Sequence, residues 1–121
     1  MIDLLSLTWS HLQEAKAAPN GRSAGRVIHD GDLRQTVVAL AVGTELGEHN
    51  SPHAATLQVL HGRVRVSSPS GADDLGAGTL HLLTHERHAV LALEDAVFLL
   101  TTVTGVPESA ARDADREERM R

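Results

Sequence analysis

The sequence predicts an all-β fold: a jelly-roll barrel of two sheets, with one short helix in front and a polar tail behind. Three observations predict it. From Arg26 to Thr104 the chain reads as short runs rich in Val, Leu and Thr, residues that suit a pleated, half-buried surface. Gly, Asp, Asn, Ser and Pro break those runs about every ten residues, the spacing of a sandwich or barrel. Helix-type patterning is confined to the two ends.

At 121 residues and 41% hydrophobic content, the chain suits one domain able to bury a core. The formal net charge of -5, with Lys16 the only lysine, argues against a nucleic-acid partner, because phosphate backbones are held by clustered Lys and Arg. No apolar run approaches the ~20 residues of a membrane span, and the N-terminus lacks the basic start and unbroken apolar stretch of a signal peptide. The expectation is a soluble, cytoplasmic protein with no membrane partner. Without cysteine there is neither a disulfide nor a thiolate metal site, so any metal must be held by imidazole, carboxylate or amide groups. Eight histidines make a metal worth testing.

Residues 1–25 form the leading helical segment. Ser10 with Gln13 three residues later resembles a capping box, Leu12, Ala15 and Lys16 follow with good helix propensity, and Pro19-Asn20-Gly21 closes the helix. Leu4, Leu5, Leu7 and Trp9 precede that cap and are too hydrophobic for a free arm, so the segment is expected to pack across the barrel or against a second subunit. Trp9, the only tryptophan, either belongs to a plain covering helix or lines a ligand cavity or its lid.

Residues 26–104 form the barrel. Eight strands are expected, near Arg26–His29, Leu33–Val42, Glu45–His49, Ala55–His61, Arg63–Ser67, Thr79–Thr84, His88–Leu93 and Val97–Val103, and eight suit a double-sheet jelly roll. Asp30-Gly31-Asp32 and Ser70-Gly71-Ala72-Asp73 are turn chemistry, and Glu94-Asp95 makes the last hairpin. Residues 105–121 are charged, with Pro107 at a helix-start position and Asp/Glu mixed with Arg at helical spacings. They read as a solvated helix or a frayed end.

The chain is organised around Gly43 to Gly62, GTELGEHNSPHAATLQVLHG. A strand carrying Glu48 and His49 runs into the breaker Asn50-Ser51-Pro52, and the next strand ends at Gly62. Farther on, Gly78 to Val90 reads GTLHLLTHERHAV, a strand, a polar corner and a strand opening on His88. The first segment with its VLHG ending, and the later G-x-L-x-x-L…H segment, resemble the two signature motifs of the cupins. The resemblance runs from about Arg26 to Thr104. LRQTVVAL, QVLHGRVRV and HAVLALEDAVFLLTTV are similar to small single-domain bacterial cupins.

The resemblance implies a double-stranded β-helix barrel and a possible divalent transition metal (Zn, Fe, Mn, Ni or Cu) at the motif positions. His49 matches the first ligand and His88 the late histidine. Ser51 stands in place of the second histidine and Ala55 in place of the acid, while Thr84 and Glu86 replace the proline and glycine usual in the second motif. His53 adds a further imidazole. In an unbroken strand His49 and His53 lie roughly 13 Å apart, too far to share an ion that needs its nitrogens within ~4 Å. Pro52 makes an unbroken strand improbable and allows a turn that swings His53 back. One reading is therefore a three-histidine site of His49, His53 and His88 with positions open to water or ligand. The other makes His49 and His88 partly buried polar groups and His53 a turn residue.

Gln58 sits mid-strand. Counting inward positions from Ala55 puts Leu57, Val59 and His61 inside and Gln58 outside, whereas a one-residue bulge near Pro52 reverses this and makes Gln58 a ligand-binding group. His61, His81 and His85 are read as surface residues, and Arg34 as an exposed strand arginine or a receiver of an acidic ligand. No G-x-S-x-G, P-loop, dinucleotide fingerprint or H-E-x-x-H occurs. Two function classes remain. The first is a non-enzymatic module binding a small molecule in an apolar barrel, with His49, His88 and Gln58 fixing orientation. The second is a metal-dependent enzyme resembling cupin dioxygenases or isomerases. A homodimer is expected, because Leu57 and Leu60, and Leu99 and Leu100, lie at both parities of their strands and cannot all face one interior.

Overall fold

The computed structural model describes residues 1–49, 54–83 and 85–104, with the backbone alone at 48 and 49. One helix, α1 (Leu4–Ala17), precedes nine strands: β1 (Arg22–Asp30), β2 (Leu33–Leu40), β3 (Glu45–His49), β4 (Ala54–His61), β5 (Arg63–Ser68), β6 (Gly71–Gly76), β7 (Leu80–Leu83), β8 (His88–Ala92) and β9 (Ala96–Val103). A five-stranded sheet in the order β1-β2-β9-β4-β7 faces a four-stranded sheet in the order β3-β8-β5-β6. Each pairing is antiparallel. This is the two-sheet jelly-roll barrel that the strand spacing predicts. No helix among the described residues is long and apolar enough to cross a membrane.

The core lies between the sheets. Val38 and Leu40 of β2, Leu57 and Val59 of β4, Val64 and Val66 of β5, Val90 of β8 and Phe98 of β9 form one buried cluster. Each is a strand position of one parity, which is why alternate residues of the same strands leave the interior. Full burial of a side chain such as Leu57 or Phe98 is worth about 1.5–3 kcal/mol each. A second cluster of Val37, Ala39, Val97 and Leu99 lies on the outer face of the five-stranded sheet beneath Leu12 and Ala15 of α1. Leu60 packs there as well, whereas Leu57 and Leu100 belong to the interior. The helix of the same chain thus covers the leucines whose parity pointed to a partner.

Three local expectations are corrected. The helix is capped by Asp3, whose carboxylate accepts from the backbone N–H groups of Leu5 and Ser6, and Ser10 lies exposed in mid-helix. Those hydrogen bonds, led by the one from Ser6, hold the Asp3 carboxyl below the usual carboxylate range. Strand β1 starts at Arg22, four residues ahead of the expected start, because Arg22 to Arg26 pair with Leu40 to Thr36. Strand β6 occupies residues read as a turn. GADDLG has little β propensity, but it completes a ladder with β5, and Arg65 reaches across that ladder to Asp74 through two hydrogen bonds of 2.7 and 3.1 Å. The Arg65 hydrogen bond, with its charge, holds the Asp74 carboxyl below the carboxylate range.

The turn that ends β4 needs a glycine. Gly62 has φ +76°, and a Cβ there would overlap the Asp95 carbonyl oxygen. The Asp30-Gly31-Asp32 and Glu94-Asp95 connections lie where the turn chemistry places them, between β1 and β2 and between β8 and β9.

Candidate functional site

Strand β8 opens on His88, which shares strand parity with the interior residues Val90 and Ala92. On one side its ladder partner is His49 at the end of β3; a one-residue irregularity between Leu46 and His49 sets this register. On the other side β8 pairs with β5, whose last residue is Ser68. The two motif histidines that the sequence singled out are therefore direct cross-strand neighbours.

A cavity of about 240 Å³ opens where edge strands β6 and β7 face each other. Val66, Ala72 and Leu82 form its apolar part, and Ser68, Ser70, Asp73, His81 and His88 line it with polar groups. His81 is there because β7 pairs with β4 so that His81 stands opposite Leu57, an interior position. Its Nε2 lies 4.0 Å from Asp73 Oδ2, and it is 26% exposed. At the rim, Ser70 Oγ donates to Glu86 Oε1 at 2.7 Å and stands 3.1 Å from Ser68 Oγ. Since Ser70 has spent its one proton on Glu86, Ser68 is the donor in the serine pair. The result is a partly enclosed cleft with two imidazoles, two hydroxyls and a carboxylate converging on a small volume.

The other expected site residues fall elsewhere. His53, the Asn50-Ser51-Pro52 breaker and the tail from residue 105 lie outside the described residues. Gln58 is on the outer face: Leu57 and Val59 on either side of it are interior, and its ladder partners are Leu99 and Leu80. It is not a polar group of the barrel interior, because β4 pairs with β9 without a break from Ala54 to Val59. The bulge comes later, between Val59 and His61, and turns His61 outward. Trp9 also lies outside the barrel, 49% exposed on α1, with its ring in edge contact with His61 at a centroid distance of 4.9 Å. It is part of the covering helix rather than a wall of the inter-sheet cavity. Arg34 occupies an inward position of β2 and donates to Thr104 Oγ1.

Among the described residues no group of three His, Asp or Glu side chains lies close enough to hold a metal ion. Imidazole chemistry suits a divalent transition metal, and His49 and His88 supply two positions in register.

His81 is the residue that sequence reasoning missed. It sits in Leu80-His81-Leu82-Leu83, apolar at both parities, so hydrophobic periodicity does not mark its face. Only the burial of Leu83 two residues on carries the signal.

No protein-family model matches the chain. No curated protein matches it either. Solved structures do. A cupin superfamily protein from Desulfitobacterium hafniense is similar at TM-score 0.67 and 16% identity, over 73% of this chain and 82% of that one. A conserved protein of unknown function from Streptococcus pyogenes is similar at TM-score 0.66 and 24% identity, over 74% and 79%. Salicylate 1,2-dioxygenase from Pseudaminobacter salicylatoxidans is similar at TM-score 0.72 and 18% identity, over 88% of this chain but 35% of that larger one. The chain has the cupin fold.

Proposed function

We propose that this cupin-fold protein binds a small polar molecule in the cleft between β6 and β7, with His81 and His88 as its principal polar contacts. The observation that carries this reading is the convergence of both imidazoles on a cavity of about 240 Å³. That volume is below the ~300–1,000 Å³ of sites for drug-sized ligands, so the molecule is small. Imidazoles and Ser68 can give or accept hydrogen bonds, and Asp73 accepts, so the cleft suits a ligand carrying both donors and acceptors. Native mass spectrometry of untagged protein tests the reading. One small molecule per chain is expected on the wild type and none on His81→Ala/His88→Ala; equal occupancy of both would refute it.

The cross-strand register of His49 with His88 favours a second reading, a metal-dependent enzyme of dioxygenase or isomerase type. In it His49, His88 and His53 hold one divalent ion, which acts as a Lewis acid on substrate or oxygen when bound. His81 and Asp73 then position the substrate. Elemental analysis of the same untagged sample separates the readings: stoichiometric Zn, Fe, Mn, Ni or Cu, lost in His49→Ala/His88→Ala, supports the enzyme.

A further inference from the structure

Three side chains on the β5–β6 side of the cleft face it as hydrogen-bond acceptors. Ser70 Oγ gives its proton to Glu86 Oε1 and Ser68 Oγ gives its own to Ser70, so each hydroxyl meets a ligand with lone pairs. Asp73, as a carboxylate, also only accepts. From the other sheet His81 places its Nε2 4.0 Å from Asp73 Oδ2. The two atoms are too far apart to bond each other, and the gap fits one donor that bonds both. A nitrogen ~2.9 Å from each would see them about 90° apart, near the tetrahedral angle between two of its own N–H bonds.

We infer that the ligand of this cleft, on the reading that it binds a small molecule, is a hydroxylated primary amine held as its ammonium ion, with two N–H bonds spanning His81 Nε2 and Asp73 Oδ2. Such a ligand selects the tautomer of His81 whose proton sits on Nδ1, leaving Nε2 to accept. Charge selects the same group. An ammonium ion neutralises Asp73 as it binds, whereas a carboxylate ligand brings a second negative charge and no proton for the serine oxygens. A neutral alcohol carries one proton per oxygen, so a single hydroxyl cannot donate to both Asp73 and His81. Unmet acceptors and like charges in a partly enclosed site weaken binding, and they set the order amine, alcohol, acid. A volume of about 240 Å³ holds roughly eight waters at ~30 Å³ each, so the amine has on the order of eight non-hydrogen atoms or fewer.

Three probes of one skeleton test the inference: 3-amino-1,2-propanediol, glycerol and glycerate, which differ only in a terminal ammonium, hydroxyl or carboxylate group. Each is titrated at the same pH and followed through the imidazole ¹⁵N signals of His81 and His88. The amine is expected to bind at least about five-fold tighter than glycerol, with glycerate the weakest. In Asp73→Asn the amine's advantage over glycerol should fall to about two-fold or less. Because Asp73 is 67% exposed, raising the salt from about 0.02 M to about 0.3 M should shrink that advantage in the wild type as well, a measurement independent of any variant. Glycerate binding as tightly as the amine, an advantage that survives both Asp73→Asn and salt, or an amine that leaves both signals unmoved overturns the inference. Failure of the cleft reading is a separate result: it shows as equal occupancy of wild type and His81→Ala/His88→Ala in native mass spectrometry. An alcohol or acid that outbinds the amine at these two imidazoles leaves the cleft a binding site and overturns only the choice of an amine.

Discussion

His81 of β7 and His88 of β8 belong to different sheets, yet they line the same cavity. Among the described residues the two sheets share no hydrogen-bonded ladder at the seam between β6 and β7, and the cavity opens there.

The Gly62 turn is a fixed point of the fold. Replacing Gly62 with alanine is expected to cost at least about 2 kcal/mol, since the new Cβ meets the Asp95 carbonyl and φ +76° disfavours any L side chain. Urea denaturation checks this. Gly43→Ala is the control: it also has positive φ, at +85°, but no atom lies near its Cβ position, so it should cost less.

Gly25 and His11 are coupled by packing. A Cβ on Gly25 would lie 2.9 Å from both Cε1 and Nε2 of His11, whose Nδ1 lies 2.7 Å from Ser23 Oγ. Ser23 donates its proton to Glu14 Oε1, so His11 Nδ1 is the donor to Ser23, and the ring is not free to swing away. Gly25→Ala should therefore destabilise the protein by about 1–3 kcal/mol, and by less when His11 is already alanine. Equal costs in both backgrounds, measured by a double-mutant cycle, would contradict the coupling.

Acid sensitivity should involve the β5–β6 ladder. Hydrogen bonding and charge from Arg65 depress the Asp74 carboxyl in the folded protein. A depressed carboxylate contributes stability above its unfolded value, and that contribution is lost as pH falls through the lower folded value. The pair is exposed, so the effect is small and screened by salt. The wild-type urea midpoint should fall more steeply than that of Asp74→Asn as pH is lowered from 5 to 2, and parallel curves would show that Asp74 plays no part.

The fold was legible because period-two alternation and turn residues both point to short antiparallel strands, and the interior parity counted from Ala55 is the parity observed through Val59. Strand β6 was not legible, since Gly71 to Gly76 contains no β-branched or aromatic residue and owes its conformation to pairing with β5. Ser10 and Gln13 imitate a capping box in mid-helix, while the cap belongs to Asp3 seven residues earlier. At the site, the motif spacing led to His49 and His88. It did not lead to His81, read as a surface residue because its leucine neighbours hide its face.

The most direct test is a titration followed through the imidazole ¹⁵N signals of the wild type and of His88→Ala. Small carboxylic acids, polyols and sugar acids would be added in turn, with the exposed His29 as an internal control. At least one compound should shift the His81 and His88 signals with a common midpoint, leave His29 unmoved and fail to shift His81 in His88→Ala. If no compound moves both signals together, or if His81 responds equally in His88→Ala, the two histidines do not form one binding site.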